Sequence, residues 1–156
     1  MVNNSGEKKV LVTGASGFLG RRIVEILVKR GYGVHAFVRK TSRIDHLHLP
    51  NVKIFYGDIA DSHSLKPAFH GIDYVVHAAA DTSGSESGRL TTIEGTRHIL
   101  DLFDSFGVKK LVYISSCSVY GVADYQPGQL IDENASLERF PERRGSYSQG
   151  KMEEKK

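Results

Sequence analysis

The segment that most constrains this chain is Val10-Leu11-Val12-Thr13-Gly14-Ala15-Ser16-Gly17-Phe18-Leu19-Gly20. An apolar run enters glycines spaced three apart, and Arg21-Arg22-Ile23-Val24-Glu25-Ile26-Leu27-Val28 then repeats its apolar positions at helical spacing. The stretch reads as strand, tight turn and helix. Gly14 can take backbone angles closed to other residues, Gly17 lets the main chain approach a pyrophosphate, and Gly20 lets the helix pack against the strand. The first helical amides, with the helix dipole behind them, would face the phosphates. An ordinary loop is the plain alternative. The placement of these glycines between a strand and a helix favours a phosphate-binding turn made by Gly14, Ser16, Gly17, Phe18, Leu19 and Gly20.

The rest of the chain alternates strand and helix patterns. After residues 1–7, read as a flexible leader, residues 9–13 form a first strand, and the helix that opens near Phe18 stops at Gly31. Residues 34–38 form a second strand and 52–56 a third, entered through the turn at Pro50-Asn51, while Asp61-Ser62 caps a short helix reaching Phe69. Residues 73–77 are almost unbroken in apolar character, as in a strand buried on both faces. A helix is expected from about Ser87 to Phe106, with Leu90, Ile93, Ile99, Leu100, Leu102, Phe103 and Phe106 on its apolar side; Gly107 stops it, and residues 110–115 form a fifth strand. A long polar stretch from Tyr120 to Arg144 precedes a last helix that begins near Tyr147.

Strands separated by helices predict an α/β fold: a doubly wound parallel sheet with right-handed crossovers and helices on both faces. Ligands of such sheets lie at the carboxyl ends of the strands. Those ends hold Gly14 to Gly20, Arg39, Asp58, Ala78 to Ala80, and Ser115 to Ser118.

A chain of 156 residues with 40% hydrophobic content supports one domain with a real core, over residues 8–156. Its net charge of +3 forms no concentrated basic patch, which argues against nucleic acid as a partner. The lone Cys117 cannot form an internal disulfide, the first residues lack signal-peptide character, and no apolar run approaches the roughly 20 residues needed to cross a bilayer. A cytoplasmic, reduced location is expected. The histidines show no metal-ligand spacing; His77 reads as a packed strand-end residue, and Cys117, with nothing basic beside it, as a small packing residue.

The end of the second strand bears on the cofactor. An acid there, about twenty residues past the glycines, would accept from ribose hydroxyls. This chain has Val38-Arg39-Lys40 with Arg43 nearby, and a guanidinium can hold a ribose phosphate through paired charge-assisted hydrogen bonds. With an exposed basic turn as the plain alternative, the glycines favour NADP, with NAD as the lesser choice. Asp58 could accept from an adenine amino group, although a turn-forming Asp after glycine explains it nearly as well.

Chemistry is best sought at Tyr147-Ser148-Gln149-Gly150-Lys151, where tyrosine and lysine share a helix face. A free tyrosine titrates near pH 10, and a neighbouring ammonium favours its phenolate. Tyr147 then serves as general acid or base, and a serine at the end of the fifth strand could orient a substrate oxygen.

Thr13-Gly14-Ala15-Ser16-Gly17-Phe18-Leu19-Gly20, Gly57-Asp58-Ile59, His77-Ala78-Ala79-Ala80, Ile114-Ser115-Ser116-Cys117-Ser118-Val119-Tyr120-Gly121 and Tyr147-Ser148-Gln149-Gly150-Lys151 resemble, in order, the motifs of the extended short-chain dehydrogenase/reductases. That group includes nucleotide-sugar epimerases and dehydratases and the dihydroflavonol-type reductases. The resemblance implies a Rossmann-type three-layer fold and a dinucleotide along the strand ends, touching Ile59, Ala78, Ala79, Ala80, Tyr147 and Lys151 besides the glycine turn. It also implies a catalytic set of Ser116, Tyr147 and Lys151, hydride transfer at a hydroxyl or carbonyl carbon of a small molecule such as a nucleotide sugar, and pairing as a homodimer. Arg39 stands where the NADPH-using dihydroflavonol-like members carry their phosphate-binding arginine.

Two departures stand out. Thr92 precedes Ile93-Glu94-Gly95-Thr96 where many members have asparagine, and the family's C-terminal substrate region has no counterpart before Lys156. The chain therefore reads as truncated and, on its own, as inactive. The contrasting function is a non-catalytic NADP-binding sensor or interaction module.

Overall fold

The structure is a computed structural model that describes residues 8–121, 125, 126 and 128–153; the expected leader at 1–7 lies outside the described residues. Two compact units emerge. One comprises the described residues up to Ala80 with Glu94–Ile114, and the other comprises Asp81–Ile93 with the described residues from Ser115 onward.

The first unit holds five strands: β1 (Lys9–Thr13), β2 (Gly33–Val38), β3 (Val52–Tyr56), β4 (Tyr74–His77) and β5 (Lys110–Tyr113). They form one parallel sheet in the order β3-β2-β1-β4-β5, with Val12 opposite Ala36 on one side and Val76 on the other. This is the doubly wound arrangement, whose direction of winding reverses between β1 and β4. Alternation along the strands separates two cores. Val10, Val12, Val34, Ala36 and Val38 face α1 (Phe18–Lys29), where they meet Val24. Leu11, Phe37 and Val75 face the other way, onto Leu65, Ala68 and Phe69 of α2 (Ser62–Phe69) and onto Ile99 and Leu102 of α3 (Glu86–Ser105). Helices on both faces make three layers.

Local signals set most boundaries. Asp61 accepts from the His63 amide as the cap of α2, and Gly31 takes the left-handed conformation (φ 79°) just past α1. At the amino ends of the strands, Asp73 accepts from the Lys9 amide at 3.0 Å and pairs with Lys109 at 2.5 Å, joining the starts of β1, β4 and β5.

Three expectations need correction. The strand buried on both faces is β2, all six of whose residues are buried; in β4, Tyr74 and Val76 are only half-buried, because α1 packs over β1 and β2. Leu90 and Leu100 of α3 are exposed (53% and 45%), whereas Thr92, Gly95 and Thr96 are buried: small residues, with Ile93, Ile99 and Leu102, form the packed side. Cys117 is exposed, since the short 3-10 turn Cys117–Val119 directs Val119 inward instead.

In the second unit, α4 (Ser146–Glu153) packs against the Cys117–Val119 turn and a second 3-10 turn, Pro141–Arg143. Tyr120 bridges Leu137, and the Gly121 amide bonds the Ser136 carbonyl, so part of the long polar stretch folds back on itself.

Candidate active site

The glycine turn follows β1 directly. Gly14 has φ 67°, and a Cβ there would lie 2.8 Å from the Ala79 nitrogen and 2.9 Å from the Ala78 carbonyl, so the segment after β4 presses against it. A Cβ at Gly20 would lie 2.0 Å from the Gly14 oxygen, which makes that glycine the condition for seating α1 on the turn. Gly17 opens α1 with no side-chain cap and no acid in the first turn. The amides of Phe18, Leu19 and Gly20 thus point outward from a helix end with no internal acceptor. Ser16 is half-buried beside them, while Phe18 and Leu19 are exposed (86% and 45%) at the same end.

The other expected positions follow the same edge of the sheet. Arg39 and Arg43, after β2, are exposed and make no ion pair among the described residues. After β3, Asp58 is exposed; its Oδ1 accepts from the Ala60 amide at 2.9 Å and its amide bonds Ser64 Oγ at 3.1 Å. Ile59 packs against the core under α3. After β4, the Ala78 amide bonds the Thr13 carbonyl and the Ala79 amide bonds Thr13 Oγ1, both at 3.3 Å, and Ala80 is half-buried.

A buried polar chain supports this edge. Thr13 Oγ1 lies 2.6 Å from His77 Nδ1, and His77 Nε2 lies 2.9 Å from Thr96 Oγ1. Thr13 Oγ1 also accepts from the Ala79 amide, so one hydroxyl serves both the segment after β4 and the His77 ring. His77 is a strand-end residue, as expected, but it is also the connector between β1, β4 and α3. The signal in the sequence was a histidine closing an otherwise apolar strand.

In the second unit, Ser116 caps the Cys117–Val119 turn: its Oγ accepts from the Ser118 amide at 3.2 Å and lies 2.9 Å from Ser118 Oγ. Tyr147 and Lys151 lie four apart on α4, Tyr147 half-buried and Lys151 3% exposed. Among the described residues, Lys151 is the one buried Lys, Arg, Asp or Glu. A lysine is almost never enclosed without a partner or a task. Gln149 Nε2 donates to the Arg144 carbonyl at 2.7 Å, and Arg89 pairs with both Glu86 and Glu153, so α4 is tied at both ends. Thr92, in place of the amide expected from the resemblance, accepts from the Asp81 amide and donates to the Gly88 carbonyl, both at 2.9 Å.

The sequence profile of the NAD dependent epimerase/dehydratase family matches residues 10–154. The chain belongs to this family. Among epimerase/dehydratase relatives, cinnamoyl-CoA reductase 1 of Oryza sativa subsp. japonica is 33% identical over 138 residues, covering 83% of this chain and 40% of that protein. A putative dihydroflavonol 4-reductase of Synechocystis sp. is 34% identical over 146 residues, covering 90% and 41%. The UDP-glucose 4-epimerase of Thermus thermophilus, solved in complex with NAD, superposes with a TM-score of 0.80 at 26% identity, over 94% of this chain and 48% of that one. The chain thus spans about two fifths of the length of the curated relatives it matches. Among the described residues, no helix of this epimerase/dehydratase chain is long and apolar enough to cross a membrane, and no cluster of His, Cys, Asp and Glu could hold a metal ion.

Proposed function

We propose that the protein to which this chain belongs is an NADP-dependent oxidoreductase acting at a hydroxyl or carbonyl carbon of a small molecule, with Ser116, Tyr147 and Lys151 as its catalytic residues. The observation that carries this reading is the buried Lys151 on the helix face of Tyr147.

The residues present fit a dinucleotide. The uncapped amides of Phe18, Leu19 and Gly20 suit a diphosphate, and Gly17 at the head of α1 bears no side chain to hold it off. Exposed Phe18 and Leu19 give the ligand apolar surface to cover. Arg39, seconded by Arg43, suits a ribose 2′-phosphate, in the absence of any acid at the end of β2. Beyond β3, Asp58 Oδ2 and the Ile59 amide have no partner among the described residues and offer an acceptor beside a donor, the complement of the amino group and N1 of adenine. Ala78, Ala79 and Ala80 leave room for the ring system to pass.

Bound nicotinamide would supply or accept the hydride at the substrate carbon. The chain's own residues handle the proton. Tyr147 gives or takes a proton at the substrate oxygen, with Lys151 on the same helix face one turn further on. Ser116 Oγ, which accepts from the Ser118 amide and stands 2.9 Å from Ser118 Oγ, orients the same substrate oxygen. The chain alone is expected to bind cofactor without turnover.

Titration of NADPH and NADH by fluorescence tests the cofactor. NADPH should bind about tenfold tighter, and Arg39→Ala should erase the difference, at about 1.4 kcal/mol for a tenfold change; equal affinities in the parent chain would overturn the phosphate assignment. Hydride transfer by the whole protein, assayed against a panel of carbonyl compounds, should fall by about 10²–10⁴ in Tyr147→Phe. Undiminished turnover would remove Tyr147 from the chemistry.

A further inference from the structure

The turn after β3 is held by α3 at two points of one residue. A Cβ at Gly95 would lie 2.5 Å from Ile59 Cγ1, 2.6 Å from its Cδ1 and 2.8 Å from its Cβ, so the Ile59 side chain occupies the space that the missing side chain leaves. One helical turn further on, on the same face, His98 Nδ1 lies 3.1 Å from the Ile59 carbonyl oxygen and donates to it. The remaining hydrogen bonds of this turn stay within it or run to β2 and to Ser64 of α2, whose Oγ bonds both the Asp58 amide and the Asp58 carbonyl at 3.1 Å. Asp58 Oδ1 accepts from the Ala60 amide, the Asp58 carbonyl accepts from the Asp61 amide at 3.0 Å, and the Gly57 amide bonds the Val38 carbonyl at 3.0 Å. They fix the shape of the turn and its start. The only side-chain hydrogen bond among the described residues that anchors it to α3 is that of His98.

We propose that Gly95 and His98 are positioning residues for adenine recognition. By seating Ile59, they set where the Asp58 carboxylate and the Ile59 amide stand. The inference rests on the reading of those two groups as an acceptor–donor pair for the adenine edge. Adenine presents an amino donor beside an N1 acceptor; hypoxanthine presents a carbonyl acceptor beside an N1–H donor, the reverse polarity. A correctly seated pair therefore discriminates between the two bases, and a displaced pair does not.

The test is titration of the chain with NADPH and with its hypoxanthine counterpart, for the parent, His98→Phe, His98→Gln and Gly95→Ala, with the unfolding temperature of each. The parent should prefer the adenine form by about tenfold. His98→Phe keeps a ring but loses the donor, and its preference should fall to about twofold; His98→Gln retains an N–H donor and should recover most of it. Gly95→Ala approaches the same residue from the other contact, forces Ile59 to withdraw, and should also reduce the preference, so the test survives if either variant fails to fold. A preference unchanged in both His98→Phe and Gly95→Ala overturns the proposal. So does a loss of affinity for both nucleotides at a constant ratio, the mark of a merely structural role. A parent chain that binds neither nucleotide refutes the dinucleotide reading itself, and one that binds both equally refutes the assignment of Asp58; each outcome removes this proposal as well.

Discussion

Gly20→Ala separates packing from ligand binding more sharply than any other single change in the glycine turn. The added Cβ would lie 2.0 Å from the Gly14 oxygen, 2.8 Å from the Gly14 carbonyl carbon and 2.9 Å from Ala15 Cα. All three are backbone atoms, so no side chain can swing away. To restore the 3.4 Å of ordinary contact, the start of α1 must retreat by about 1.4 Å from the turn. Overpacking of this kind costs about 1–3 kcal/mol, which for a chain of this size lowers the unfolding temperature by roughly 3–10 °C. The retreat also carries the amides of Phe18, Leu19 and Gly20 out of register with a diphosphate. NADPH affinity should therefore fall by at least about tenfold, the worth of one charge-assisted hydrogen bond. Gly31→Ala is the control: at φ 79° with nothing within 4 Å of its Cβ, it incurs backbone strain of about 1 kcal/mol and leaves binding untouched. Scanning calorimetry and fluorescence titration read both variants. Parental melting and parental affinity in Gly20→Ala would refute the seating argument.

Other perturbations are as specific. Burial holds His35 below the ordinary histidine range, against the favourable bond from its Nδ1 to the Ala68 carbonyl, so the unfolded chain takes up that proton first. Stability present above the usual histidine value of about 6.5 is lost as pH falls through and below it, and the denaturation slope between pH 8 and 5 should be shallower in His35→Gln; an unchanged slope would clear His35. The hydrogen bond from Lys109, aided by the Lys9 amide, holds the Asp73 carboxyl below its usual range. Its contribution is present above the ordinary aspartate value and lost as pH drops through the depressed one, so Asp73→Asn should flatten acid unfolding below about pH 4, as followed by circular dichroism. Thr96→Val removes the hydroxyl bonded to His77 Nε2 and should cost about 1–3 kcal/mol in urea unfolding; a neutral result would contradict a stabilising role for that buried bond.

What could be read from the chain alone followed the range of the interaction concerned. β1 and β3 have the bounds expected of them, and α2 opens at the Asp61 cap, because an apolar run, a cap and a glycine stop act within a few residues. The parallel sheet and the strand-end positions of Gly14, Arg39, Asp58 and Ala78 followed from alternation, because βαβ units have one hand. Contacts that depend on which face of α3 meets the sheet were not legible. The helical pattern placed Leu90 and Leu100 on the apolar side, yet the buried side is built around Thr92, Gly95 and Thr96. The bonds from Thr13 to His77 and from His98 to Ile59 join residues 64 and 39 positions apart, beyond what local patterning conveys. The exposure of Cys117 depended on the sense of a three-residue turn, which neighbouring serines do not specify.

The clasp of Asp73 on Lys9 and Lys109 stands where the strands begin, whereas every candidate contact for the nucleotide in this unit stands where strands finish. The two rims of the sheet thus carry separate tasks, fastening on one and ligand contact on the other. Loops on the outgoing rim can be rewritten for a new ligand while the fastening on the incoming rim stays as it is, which lets one scaffold diversify its chemistry without renegotiating how it holds together.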